Sequence, residues 1–350
     1  MLHNIRQHIQ DTLRLPQIKG EYCVHAKIEQ ASCRACVDVC PQQAWHLDED
    51  SLGMDTAICD GCGLCVPVCP ENAILHDHDI LLKQLNQHTI SLIACEKANL
   101  PQTTGIIPCL HSLGLMDLLK LYQQGVRGIL MTQGDCDDCP RQPDVTLTML
   151  LENLNQALKQ RGVQTLLVRK ISSEKWLQQQ NLPPPKGKNT HRRDFLQRSL
   201  QHVAKESLQA QGLIEEEETF LPPAQLLPQT GKVSILPHVP EIDATKCDGC
   251  GACMQLCPHD ALKIDEEKQQ FVLDAINCTG CHLCVDVCVP KAITVKQWIL
   301  PDNTVIPLHH GQCQRCGAPF QRPVAFETEK NLCHICRQVN HHKLLYQVLD

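Results

Sequence analysis

Cys247-Asp248-Gly249-Cys250-Gly251-Ala252-Cys253-Met254-Gln255-Leu256-Cys257-Pro258 decides the reading of this chain, because its cysteine spacing recurs. Cys59-x2-Cys62-x2-Cys65-x3-Cys69-Pro70 repeats it in full. Cys278-x2-Cys281-x2-Cys284-x3-Cys288 repeats it with Val289 standing before Pro290, and Cys33-x2-Cys36-x3-Cys40-Pro41 repeats it without the first cysteine. Two intervening residues wrap successive thiolates around one centre in a tight turn rich in backbone N–H donors, and glycines within the turn let the backbone approach the sulfur closely. The lone cysteine that follows after three intervening residues, locked by proline, is placed to serve a second centre.

The rest of the composition agrees with metal rather than with disulfides. The chain has 350 residues, enough for several domains, and 24 cysteines, most of them two or three residues apart. Such spacing suits ligation of one centre better than cross-linking of distant segments. Residues 1–20 are polar and mixed, without the apolar stretch of a secretory signal. No run of about 18 apolar residues occurs, so no membrane span is expected and a cytoplasmic location follows. A formal charge of −7 gives no reason to expect nucleic acid. Aromatic residues make up only 3%, so much of the order is expected to come from bound metal rather than from large apolar cores.

Five segments are expected: 1–79 and 241–298, each with a double cysteine run; 80–172, an α/β unit; 173–240, a polar proline-rich linker with a helix over Arg193–Leu213; and 299–350, a tail with its own CxxC pair. In the α/β unit, short β-branched runs predict strands at Thr89–Ala94, Gly128–Thr132 and Thr165–Val168. Helices are expected over Leu113–Gln124, capped by Ser112, and Val145–Arg161, capped by Asp144. Their alternation implies a small, partly parallel sheet. Strand-like segments Ala44–Leu47, Ala73–Leu75, Ala261–Ile264 and Ala292–Val295 follow the four runs. The fold class expected is a multidomain mixture of α+β and α/β units.

The double runs resemble those of bacterial-type two-cluster [4Fe-4S] ferredoxins. That resemblance implies four cubane sites with crossed fourth ligands: Cys59, Cys62, Cys65 with Cys40; Cys247, Cys250, Cys253 with Cys288; Cys278, Cys281, Cys284 with Cys257; and Cys33, Cys36 with Cys69. Gln30 stands where the last set needs a cysteine, and Cys23 is the expected substitute across a nine-residue insertion. Should Cys23 not reach, three thiolates and a three-iron or labile cluster remain. Structural zinc is the competing reading of the runs, but zinc sites usually pair CxxC units across a longer loop.

Cys95, Cys109, Cys136 and Cys139 lie at the edges of predicted elements in the α/β unit, where the loops at the carboxyl ends of strands converge. Ile107-Pro108-Cys109, the helix after it, Gly125–Leu130 and Gly134-Asp135-Cys136 resemble the delta subunit of methyl-viologen-reducing hydrogenases. The resemblance implies a two-iron cluster and electron traffic toward heterodisulfide-reductase-type partners. The compact Cys136-x2-Cys139 departs from that family, and free buried cysteines or a dithiol–disulfide pair at Cys136 and Cys139 are the alternatives.

Cys313-x2-Cys316 and Cys333-x2-Cys336, sixteen residues apart, have the spacing of a four-thiolate zinc ribbon, with a rubredoxin-like iron as the alternative. His309, His310, His341 and His342 are expected to be surface residues. Arg192-Arg193-Asp194-Phe195-Leu196 looks like a twin-arginine motif, but the polar stretch after it cannot serve as a signal core, so it is read as a basic helix start. No nucleotide fingerprint or acid–base constellation appears. The sequence therefore implies an electron-transfer polyferredoxin with a redox-protein donor and acceptor, associated with a hydrogenase-, formate-dehydrogenase- or heterodisulfide-reductase-like complex. An iron–sulfur assembly or redox-sensing regulatory protein is the alternative, and the oligomeric state is open.

Overall fold

The computed structural model describes residues 15–47, 52–101, 103–141, 143, 146–185, 220–302, 304–328 and 331–338. The Arg193–Leu213 helix, the twin-arginine motif, Asp144, His341 and His342 lie outside the described residues.

In the first cysteine module, β1 (Gln17–Ile18) pairs antiparallel with β4 (Ile74–Leu75), and β2 (Trp45–Leu47) pairs antiparallel with β3 (Leu52–Met54). A single helical turn, α1 (Ala35–Asp38), carries Cys36. Trp45, Leu52 and Ile74 pack directly on Cys36 and Cys65, so the apolar core is largely a wall around sulfur.

The α/β unit follows. β5 (Leu81–Leu85) and β6 (His88–Cys95) form an antiparallel hairpin, turned by Asn86 and Gln87 with φ of 46° and 68°. β7 (Ile106–Ile107) and β8 (Val126–Thr132) lie parallel to β6, and β9 (Leu167–Lys170) lies parallel to β8. From Ile90 to Cys95 every residue of β6 is buried, as expected of a strand covered on both faces. One cover is built by α2 (Leu115–Gln123) and α3 (Leu147–Gln160), which bury Leu118, Leu119, Tyr122, Leu151, Leu154 and Leu158 against the sheet. The other is α4 (Ser173–Gln179), whose Trp176 is wholly buried against Leu81, Ile90 and Leu92.

Three sequence expectations shift here. Ser112 does not cap a helix: its hydroxyl donates to the Cys109 carbonyl at 2.7 Å, and α2 starts after Gly114, whose N–H is held by the Asp117 carboxylate at 2.9 Å. The cap of α3 is Thr146, which accepts from the Met149 N–H at 3.4 Å. The last strand starts at Leu167, two residues after the expected Thr165, because Asn155 on α3 takes both backbone groups of Leu166.

The described parts of the expected linker, 173–185 and 220–240, hold regular elements. α4 belongs to the sheet, and α5 (Pro223–Leu226) places Ala224, Leu226 and Leu227 in the core formed by α2 and α3. Residues 236–240 already belong to the second module, whose β10 (Leu236–Ile242) pairs antiparallel with β13 (Ile293–Ile299). β11 (Leu262–Asp265) and β12 (Gln270–Leu273) form its inner hairpin, so the strand pairing of the first module is repeated. α6 (Ala252–Leu256) and α7 (Leu283–Asp286) lie within its two cysteine runs and carry Cys253 and Cys284.

Strand pairing ties the tail to the second module. β14 (Val305–Gln312) pairs with β12, and β15 (Pro319–Pro323) pairs with β14, so one four-stranded antiparallel sheet crosses from module to tail. Ile306 and Leu308 complete the core around Phe271. Among the described residues no helix is long and apolar enough to cross a membrane.

Candidate metal centres

The fourth cysteine of every run is held in the same way. Backbone N–H groups of Ala44, Ala73, Ala261 and Ala292 donate to the Sγ of Cys40, Cys69, Cys257 and Cys288 at 3.4, 3.2, 3.2 and 3.2 Å. Each donor lies four residues beyond its sulfur, where the proline-locked turn feeds the next strand. Such bonds favour a charged, ligating sulfur over a neutral thiol.

The fold gathers the remaining cysteines around these four. Cys40 lines one hollow with Cys59, Cys62 and Cys65, beside Pro16 and Trp45. Cys288 lines another with Cys247, Cys250 and Cys253, beside Phe271 and Ile293. Burial, then the nearby charge of Cys257, pushes the Cys278 thiol up to about 11, and Cys284 in turn lies beside Cys281, Cys278 and Cys257. Burial, then the charges of Cys69, Cys33 and Cys23, pushes Cys36 up to about 12. Cys23 stands between two short 3-10 turns, Gly20–Tyr22 and Val24–Ala26, and packs on the same core as Cys36 and Cys69.

Burial is the first cause of the raised thiols at Cys62 and Cys253, each pushed up to about 12. A site of this kind opposes several bare thiolates. It accepts them when a cationic iron–sulfide cage shares the charge, so the donor sets fit iron–sulfur clusters. The turns fit as well: Gly61, Gly63, Gly249, Gly251 and Gly280 all have positive φ, and at the position matching Gly63 and Gly251 the fourth run holds His282 at φ 63°.

In the α/β unit, Cys95 ends β6, Cys109 follows β7, and Cys136 and Cys139 follow β8, so all four leave the carboxyl ends of parallel strands and line one hollow. The Lys97 N–H donates to Cys95 Sγ at 3.3 Å, and the Gln133 amide donates to Cys136 Sγ at 3.0 Å. Burial, then the charges of Cys95, Cys139 and Cys136, pushes the Cys109 thiol up to about 11.

The tail cysteines are set more tightly. The Sγ atoms of Cys313, Cys316, Cys333 and Cys336 all lie within 4.8 Å of one another, with Cys316 and Cys333 3.9 Å apart. Zinc bonded to sulfur at about 2.3 Å in a tetrahedron needs nearly this separation, so the set fits one ion rather than a cage. Burial raises the Cys313 thiol, but backbone N–H donors at Cys316, Cys333 and Arg315 outweigh it and bring the value down to about 6.

Sequence reasoning missed the charged residues between the groups. Asp60 and Asp248 occupy the same place in the repeat, and each caps its turn by accepting from the N–H of Cys62 at 3.1 Å and of Cys250 at 3.3 Å. Asp60 is paired with Arg141 of the α/β unit at 2.9 Å, and Asp248 with Arg337 of the tail at 3.8 Å. The repeat Cys-Asp-Gly-Cys made both aspartates visible in advance; their arginines carry no sequence signal. Glu71, two residues beyond Cys69, accepts from Thr279 and pairs with His259 at 2.8 Å across the two modules.

Residues 246–293 match the family model of a 4Fe-4S dicluster domain, and residues 30–79 match that of the LdpA Fe-S cluster-binding domain. No curated protein matches the chain. Both cysteine modules thus carry iron–sulfur domains, and the chain is an iron–sulfur protein of the electron-transfer kind.

Proposed function

We propose that the chain is a polyferredoxin with four [4Fe-4S] sites, a [2Fe-2S] site in its α/β unit and a zinc site in its tail. The cubane ligands are Cys23, Cys33, Cys36 and Cys69; Cys59, Cys62, Cys65 and Cys40; Cys247, Cys250, Cys253 and Cys288; and Cys278, Cys281, Cys284 and Cys257. The repeated N–H···S bond at each crossed cysteine carries this reading, since a structural disulfide or an idle thiol has no need of it. Bound clusters supply one-electron exchange, at potentials anywhere from roughly −700 to +450 mV. The chain's own residues orient the thiolates, exclude water with Trp45 and Phe271, and bring N–H donors to sulfur.

The resemblance of the α/β unit to the hydrogenase delta subunit supports a place beside a hydrogenase-, formate-dehydrogenase- or heterodisulfide-reductase-like enzyme, with redox proteins as donor and acceptor. Anaerobic purification with iron, sulfide and zinc analysis tests the assignment. Roughly sixteen irons belong to four cubanes and two more to the central site. Colourless, sulfide-free protein holding only zinc would end the proposal.

A further inference from the structure

We infer that the iron–sulfur ligand sets form one unbranched row: the central cysteines of the α/β unit, then the Cys59 set, the Cys33 set, the Cys278 set and the Cys247 set, with the tail tetrathiol at the far end. This rests on the ligand assignment proposed above and adds an order to it. Each step is carried by a different contact. At the first, Cys109 and Cys62 pack in one apolar cluster with Leu64, while Arg141 joins Asp60 at 2.9 Å and donates to the Pro108 carbonyl at 3.1 Å. The second step lies inside the first module, where Cys36 and Cys65 share one core.

The middle step joins the two modules. Glu71 is 8% exposed and is held by Thr279, next to Cys278, and by His259, two residues from Cys257. Two extended residues span at most ~7 Å, so Glu71 stands that close along the chain to Cys69 and His259 to Cys257. Ser32, next to Cys33, adds two bonds to Asp286, from its N–H at 2.9 Å and its hydroxyl at 2.6 Å. Inside the second module, α6 and α7, which carry Cys253 and Cys284, pack together on one core. At the far end Arg337, one residue from Cys336, reaches Asp248, and the Gly249 turn lies against the backbone of Gln321 and Arg322.

The row is also symmetric in its chemistry. At each end an aspartate one residue after the first cysteine of a run takes an arginine from the adjoining metal-bearing unit, and Glu71 closes the middle. Glu71 is thus a positioning residue: it fixes the distance between the Cys33 and Cys278 sets without touching a cluster.

Magnetic coupling between reduced clusters tests the order in the full chain. In anaerobic, fully reduced protein, the Cys33 set is expected to interact with a cluster in each module. Cys36→Ala should remove one cubane's iron and abolish coupling both to the Cys59 set and to the second module, while coupling inside the second module stays; loss of coupling to the Cys59 set alone would overturn the row. Glu71→Ala should leave iron and sulfide content unchanged, weaken coupling between modules and keep coupling within each. Glu71→Gln, which still offers Thr279 an acceptor, should restore it. Unchanged coupling in Glu71→Ala would refute the role given to Glu71. Wild-type protein with all its cubanes but magnetically separate modules would overturn the order and leave the ligand assignment standing. Protein without sulfide would overturn both.

Discussion

Replacing Arg141 by alanine is expected to loosen the first module from the α/β unit. The Arg141 side chain is 11% exposed and that of Asp60 26% exposed. Two guanidinium nitrogens reach one Asp60 oxygen at 2.9 Å, and a third reaches Glu96 at 3.3 Å and the Pro108 carbonyl at 3.1 Å. Exposed pairs are worth about 0–1 kcal/mol, whereas breaking a buried one costs about 3–5 kcal/mol. Intermediate burial puts the loss at about 2 kcal/mol, mostly the cost of leaving the Asp60 carboxylate half-buried with only the Cys62 N–H as partner. For a folding unit of this size that lowers the thermal midpoint by ~4–8 °C. Arg141→Lys keeps a charge but loses the fork, so it should recover only part of the loss.

Burial alone would raise the Asp60 carboxyl, but the Arg141 charge and hydrogen bonds, with the Cys62 N–H, outweigh it and hold the carboxyl below its usual range. A carboxylate lowered by folding stabilises the fold above its unfolded pKa of about 3.9, and that contribution disappears as pH falls through the lowered value. The gap between wild type and variant should therefore be widest near neutral pH and close on the acid side. Calorimetry at a fixed scan rate, under anaerobic conditions, measures both. If Asp60→Asn added to Arg141→Ala recovers none of the loss, or if the gap widens in acid, the reasoning about a stranded carboxylate is wrong.

Gly249→Ala would bring its Cβ into the Gln321 carbonyl at a backbone φ of 76°, so it should speed zinc loss from the tail; an unchanged chelator-driven release rate would contradict this. Burial, then the charge of His282, lowers His238 to about 4, so it stays neutral while unfolded chains take up a proton below their usual 6.5. Stability then falls as pH drops from about 6.5 to about 4, and His238→Phe should flatten that stretch of the denaturation profile. Trp176→Ala removes a wholly buried indole from between α4 and the sheet and should cost about 3–5 kcal/mol, visible as lost hydrogen-exchange protection in β6. Acid should strip the tail metal, because protons compete with it for the four thiolates, with the released ion followed by a colour indicator.

The cysteine runs made the centres legible because ligation demands fixed local spacing, and the two family matches fall on those same runs. β6 and β8 were legible from their apolar, β-branched residues, and the structure extends each by one or two residues. The β5–β6 hairpin was not, because its turn is made by Asn86 and Gln87 in the left-handed region without a glycine to mark it. Proline content misled at 222–240: Pro222 opens α5, and β10 holds Pro237 and Pro240 on a strand with one partner and one free edge. The contacts that join the units were invisible because they depend on single polar residues far apart in sequence, such as Glu71 with Thr279 or Ser32 with Asp286.

The seam between β12 and β14 bears on how this chain can be divided. Cleavage after residue 299 with loss of the tail would strip β12 of its outer neighbour, uncovering the aromatic face of Phe271 and a row of unpaired backbone amides. An uncovered edge of that kind recruits strands from other molecules. Proteolysis there should therefore yield aggregates rather than a tidy fragment, and any shortened chain meant to stay dispersed has to keep residues 305–312.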